Sequence, residues 1–153
     1  MKSNRKIALV TGGAKRIGQA ICKLLHESNV DLMIHYRHSA DEAKKLQEDL
    51  NKIRKDSTNI IQTDLLNTNA LPNLIDETIK TYGRLDILIN NAGGGYGNSY
   101  IENDFQQNWI NSYMVNVVAP MRLSKSVIPN MRNNKFGHIF FITSLIVDRP
   151  QPG

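Results

Sequence analysis

Short apolar runs alternate with amphipathic stretches along the whole chain. Ile7 to Val10 is an apolar run rich in β-formers, and it ends in a glycine turn. Ile17, Ala20, Ile21, Leu24 and Leu25 follow at helical spacing. Val30 to His35 reads as a second strand. Ala40 to Arg54 reads as an amphipathic helix with Ala43, Leu46, Leu50 and Ile53 on one face, capped by Ser39 or Asp41. Asn59 to Thr63 predicts a third short strand. Leu71 to Tyr82 is a helix with Leu71, Leu74, Ile75 and Ile79 inward, Pro72 in its first turn and Gly83 as its stop. Leu85 to Ile89 is a near-continuous apolar strand, as a sheet buried on both faces requires. A loop rich in glycine and asparagine runs from Asn90 to Ser99. A long helix is predicted from about Asp104 to Met131, bent or ended by Pro120 and Pro129. Gly137 then leads into a fifth strand, Ile139 to Thr143.

Repeated β-α units imply an α/β fold, a parallel sheet with helices on both faces. Right-handed crossovers favour a doubly wound, Rossmann-type sheet of about five strands in the order 3-2-1-4-5. The chain has no internal repeat, low-complexity run or linker, so no boundary is placed within residues 1–153. With 153 residues, 41% of them hydrophobic, it can bury a real core. The formal charge is +5, but the basic residues are scattered and lack interleaved aromatics, which argues against nucleic acid. An anionic cofactor accounts for the mild excess as well. The single cysteine, Cys22, excludes an intrachain disulfide and fits a reducing cytoplasmic setting. It sits on the apolar side of the first helix and reads as a core thiol. No segment is long enough to cross a membrane, and the apolar run after the basic start is too short for a signal peptide.

In a doubly wound sheet, ligands bind at the carboxyl ends of the strands, near the switch between strands one and four. Four stretches reach that edge. The first is Thr11-Gly12-Gly13-Ala14-Lys15-Arg16-Ile17-Gly18. A glycine turn that opens a helix presents backbone N–H groups and the positive end of a helix dipole, which suits a phosphate or pyrophosphate; a glycine-rich turn with no ligand is the alternative. It differs from both G-x-G-x-x-G and the Walker loop: Arg16 stands where a middle glycine is expected, and Gln19 and Ala20 follow Gly18. The second is His35-Tyr36-Arg37-His38-Ser39, with no acid for ribose hydroxyls. Arg37, His38 and Ser39, with Lys15 and Arg16, suit a 2′-phosphate instead, which favours NADP(H) over NAD(H); a solvated loop is the alternative. The third is Asp64-Leu65, where Asp64 either bonds an adenine amino group or caps a turn. The fourth is Asn90-Asn91-Ala92-Gly93-Gly94-Gly95, whose small residues admit a ligand and whose amides can tie strands together; a plain flexible loop is the alternative. Asn116, a poor helix former inside the long helix, can hold a water or a backbone carbonyl near the site, or simply pack. Ser144 follows the fifth strand; its hydroxyl either donates to a substrate carbonyl oxygen or belongs to a turn. No metal is assigned.

Thr11-Gly12…Gly18, Asp64, Asn90-Asn91-Ala92-Gly93, Asn116 and Ser144 together resemble the short-chain dehydrogenase/reductase family, in its order and spacing and over nearly the whole chain. Within it, Thr11 to Gly18 with Arg16 for glycine, His35 to Ala40, and Asp148-Arg149-Pro150 are similar to the pteridine reductases. The resemblance implies NADPH, with Thr11, Gly12, Lys15, Arg16, Ile17, Gly18, Tyr36, Arg37, His38, Ser39, Asp64, Leu65, Asn91, Ala92 and Gly93 binding it and Asn116 and Ser144 in the catalytic set. It also implies hydride transfer to a carbonyl or pteridine-type substrate, and a homo-oligomer assembled through the long helix that carries Trp109 and Tyr113. A non-catalytic dinucleotide-binding or regulatory module is the alternative.

Pteridine reductases tend to carry Asp at the position of Ser144 and an aromatic where Gly95 stands; Tyr96, next along, is the candidate to stack on a substrate. The family's Tyr-x-x-x-Lys is expected a few residues after Gly153, and the sequence is read as a truncated product or a fragment. The apolar edge Ile139 to Ile142 is then expected to lack its neighbouring strand, which favours edge pairing and marginal stability. The chain as written is expected to show no normal reductase turnover. NADPH oxidation with a panel of carbonyl compounds measures this; activity comparable to a full-length relative contradicts it.

Overall fold

The structure, a computed structural model, describes residues 5–95 and 105–144. Strands β1 (Ile7–Val10), β2 (Asp31–Tyr36), β3 (Thr58–Gln62), β4 (Ile87–Asn90) and β5 (His138–Phe141) form one sheet in the order β3-β2-β1-β4-β5. All four pairings are parallel; Leu9 sits opposite Met33 on one side and Leu88 on the other. Helices α1 (Arg16–Glu27), α2 (Ala40–Ile53), α3 (Leu71–Tyr82), α4 (Phe105–Tyr113) and α5 (Ala119–Asn133) fill the connections. The doubly wound α/β architecture and the strand order expected from the β-α repeat are those observed.

Strand alternation divides the core in two. Ile7, Leu9, Met33 and Leu88 pack with Leu71, Leu74 and Ile75 of α3 and Leu123, Val127 and Met131 of α5. Ala8, Val10, Leu32, Ile34 and Ile89 pack with Cys22 of α1 and Leu46 and Leu50 of α2. The amino ends of the strands are fastened by buried acids. Asp31 holds Arg5 at 2.9 Å and Arg54 at 3.2 Å, and Asp86 accepts from the Ile7 N–H at 2.9 Å and Arg84 Nε at 2.8 Å. The opposite, carboxyl edge is left for the cleft.

Several expected details differ. The buried row of α1 is Gly18, Cys22 and His26, so Ile17 and Leu24 are 61% and 63% exposed. Gly18 has no side chain, so the helix touches the turn beneath it there, and the inward row runs through that position. Ile53 is 77% exposed, because the chain leaves α2 at that point and Arg54 turns in extended backbone toward Asp31. Ser39 occupies the N-cap position of α2 without a side-chain cap bond. The strands after β1 each begin or end one to two residues from their expected limits.

The long helix is not one regular helix. Between α4 and α5 lies a π-helical segment, Met114–Val118, in which the Ala119 N–H reaches the Met114 carbonyl. Pro120 follows at the first turn of α5; it has no N–H for the Asn116 carbonyl and its ring would crowd that group. The wider turn accommodates both problems. Pro129 does not end the helix, which runs on to Asn133. Among the described residues β5 is an edge strand, with Phe140, Phe141 and the following Ile142 exposed and Ile139 partly buried against the core. Among the described residues no helix is long and apolar enough to cross a membrane.

Two histidines are buried and neutral. His26 Nε2 lies 2.8 Å from Ser57 Oγ. His35 Nδ1 accepts the Gly12 N–H at 3.1 Å, so the ring proton is on Nε2, which donates to the Thr63 carbonyl at 2.9 Å. Burial lowers the pKa of both; for His26 the Arg54 charge lowers it further, while for His35 the Thr63 bond and Asp64 partly oppose the shift. Both folded values thus lie below the ordinary 6.5. Their contribution to stability is complete above that value and is lost as the pH falls below it, by up to about 1.4 kcal/mol per pH unit for each ring. Melting followed by circular dichroism should show a falling Tm from pH 7 to 5; a flat or rising Tm contradicts this. Burial also pushes the Cys22 thiol up to about 12, so it should resist alkylation at pH 8 until the chain is unfolded; rapid labelling of the native protein contradicts a packed thiol.

Candidate functional site

The carboxyl ends of β1, β2, β3 and β4 surround a cleft of about 470 Å³, a size typical of small-molecule sites. Its floor is the turn after β1. Gly12 has φ +62°, a conformation that glycine alone adopts without strain, and a Cβ there would lie 3.1 Å from the Ala92 Cα. A Cβ on Gly18 would collide with the Gly12 carbonyl oxygen and lie 2.6 Å from Asn91 Nδ2. The two glycines thus let the turn, the start of α1 and the loop after β4 meet at backbone distance.

Polar side chains lock that meeting. Thr11 Oγ1 donates to the Ile89 carbonyl at 3.3 Å and accepts the N–H groups of Asn91 and Ala92, each at 3.0 Å. Asn91 Nδ2 donates back to the carbonyls of Thr11 at 2.9 Å and Gly12 at 3.1 Å. From the other side, His35 takes the Gly12 N–H on its ring and the Gly13 N–H on its carbonyl. The N–H groups of Gly12 and Gly13 are therefore spent inside the fold. α1 makes its first backbone bond from Gln19 to the Lys15 carbonyl, so the N–H groups of Arg16, Ile17 and Gly18 are the ones that helix geometry leaves for an anion.

Arg16 has φ +51°. This is the left-handed region, which explains why glycine is the expected residue there; an L side chain costs about 1 kcal/mol in it. Arg16 is exposed at the cleft and forms no ion pair among the described residues. Lys15 and Arg37 do have partners. Lys15 Nζ is 2.6 Å from Glu42 Oε1, and Arg37 is 3.1 Å from Asp64 Oδ2. Asp64 Oδ1 also accepts the Leu66 N–H at 3.0 Å, so it caps a turn while holding the arginine.

Of the residues singled out in the sequence, Gly12, Lys15, Arg16, Ile17, Gly18, Tyr36, Arg37, His38, Ser39, Asp64, Leu65, Asn91, Ala92 and Gly93 line this one cleft. Thr11 lies beneath it, buried. Asn116 stands in the π-helical segment and is engaged with backbone: Nδ2 donates to the Gly94 and Ser112 carbonyls, both at 2.8 Å, and Oδ1 accepts the Gly94 N–H at 3.1 Å. It ties the loop after β4 to the helix rather than lining the cleft. Ser144 lies exposed beyond β5 and is not among the lining residues. Tyr96 and Asp148 to Pro150 lie outside the described residues. Ala14, His35 and Val115 also line the cleft. The sequence placed His35 in a stretch at this edge but gave it no role, because a histidine ending a strand carries no sign that its ring turns inward to hold the Gly12 N–H.

A family profile described as short chain dehydrogenase matches residues 6–153. An uncharacterized oxidoreductase of Staphylococcus aureus (strain USA300) is 32% identical over 140 residues, covering 92% of this chain and 58% of that protein. A counterpart in strain MRSA252 is 33% identical over the same shares. One from Staphylococcus saprophyticus is 32% identical and is covered over 55% of its length. The chain thus spans little more than half the length of these curated relatives. A match that runs through all five strands and both walls of the cleft places this chain in the short chain dehydrogenase family.

Proposed function

We propose that the chain binds NADP(H) in this cleft as the cofactor-binding part of a short-chain oxidoreductase acting on a carbonyl or pteridine-type substrate. The observation that carries the reading is Arg16, a charged side chain kept exposed at the cleft on a backbone angle that favours glycine. Conformations of this kind persist where the side chain is needed. The loop after β2 supports it, since Arg37 and His38 stand where an acid would bond unphosphorylated ribose.

The lining fits a phosphorylated dinucleotide. Gly12 and Gly18 let the turn and the start of α1 pack against the loop after β4, and the N–H groups of Arg16 to Gly18 face a pyrophosphate with the positive end of the α1 dipole behind them. Lys15, Arg16, Arg37, His38 and Ser39 surround the 2′-phosphate. Asp64 and Leu65 flank the adenine, and Asn91, Ala92 and Gly93 form the wall toward the nicotinamide. When bound, the cofactor supplies a hydride. Ser144 donates its hydroxyl proton in a hydrogen bond to the substrate carbonyl oxygen, and Tyr96 is the stacking residue.

The uncharacterized oxidoreductases of Staphylococcus support the reaction class; the pteridine reading rests on Thr11 to Gly18 and His35 to Ala40. The exposed stripe of Trp109, Ile110, Tyr113, Val117 and Met121 supports assembly into a homo-oligomer through α4 and α5. The free Cys22 supports a cytoplasmic setting.

Arg16→Gly tests the assignment. It should weaken NADPH binding about tenfold, ~1.4 kcal/mol, as loss of an exposed charge-assisted contact does. NADH binding should change less than twofold, and the Tm should not fall, because relieved backbone strain offsets the added chain entropy. Equal losses for both cofactors, or tighter wild-type binding of NADH, contradict it.

A further inference from the structure

The basic end of the cleft is less positive than its lining suggests. Lys15, Arg16 and Arg37 are its three permanent cations. Arg37 is matched by Asp64 and Lys15 by Glu42, at 3.1 and 2.6 Å. A phosphate dianion brought there meets a formal +1, three cations less two carboxylates, rather than +3.

The two acids differ in kind. Asp64 is also bound by the Leu66 N–H, so its place is set by the backbone as well as by its arginine. Glu42 stands in the first turn of α2 and reaches across to the residue that precedes α1. Both side chains of the Lys15–Glu42 pair are about half exposed, at 50% and 46%, where an ion pair adds little to folding. The Lys15 hydrogen bond keeps the Glu42 carboxyl below its ordinary pKa, so it is ionised at neutral pH. A pair that does little for the fold still acts on a third charge beside it.

We propose that Glu42 is a specificity-determining residue: its carboxylate competes with the 2′-phosphate for Lys15 and limits the preference for phosphorylated over unphosphorylated dinucleotide. This rests on the NADP(H) reading above. Glu42 acts through Lys15 and through its field.

The test is fluorescence titration of the full chain with NADPH and with NADH, in wild type, Glu42→Gln, Glu42→Ala and Glu77→Gln. Glu77 pairs with Lys80 on the exposed side of α3 and controls for net charge. Both Glu42 variants should bind NADPH about three- to tenfold more tightly at low salt, with NADH changed less than twofold, and the gain should shrink at ~0.5 M salt, as expected of screened charges a few ångströms apart. Glu77→Gln should leave both affinities unchanged. A wild type that favours NADPH, with a preference unmoved by either Glu42 variant, overturns the proposal and leaves the NADP(H) reading standing. A Glu42 gain shared equally by NADH, or matched by Glu77→Gln, also overturns it. A wild type that favours NADH overturns both.

Discussion

The geometry of the site depends on a small knot of hydrogen bonds at the carboxyl edge of the sheet. Thr11, Asn91 and His35 fix the glycine turn from two sides, each through bonds to its backbone or to the backbone of the loop after β4. The knot spends the N–H groups of Gly12 and Gly13 and leaves those at the start of α1. An anion bound at this edge would therefore meet the helix start rather than the turn itself. Were the turn to relax, the helix start would lose its aim toward the loop after β4.

Charge at the cleft follows a different logic from charge at the foot of the sheet. Asp31 and Asp86 are buried and shared among arginines, lysine and backbone, so they act as structural anchors. At the cleft the pairs are half exposed and short in reach, and one arginine stands outside them on a left-handed backbone angle. The first arrangement stabilises a fold; the second leaves a field that a ligand can use.

The fold was legible because its signals are redundant. Apolar runs of strand length, helices with one inward face, Gly83 as a stop and glycines at the first turn all point to one architecture. Limits were less legible where tertiary contact overrides local pattern. Cys22 faces the core as expected, but Ile17 and Leu24, which match a helical stripe, face outward, and His26 takes the inward row with Gly18 and Cys22. The π-helical segment was hidden, since Pro120 announces a disturbance but not its form. At the site, residue types and spacing indicated which side chains gather. They did not show that Lys15 and Arg37 have carboxylate partners, or that the His35 ring supports Gly12, because such pairings join elements remote in sequence.

The proposed seat of a phosphorylated dinucleotide puts its phosphates on the start of α1, between the loops after β2 and β4. Amide chemical shifts of the ¹⁵N-labelled chain during titration with NADPH test this most directly. The account predicts the largest saturable shifts at Arg16 to Gly18, Arg37 to Ser39 and Asn91 to Gly93. Shifts confined to the exposed face of α4 and α5, with those three stretches unmoved at saturation, would contradict it.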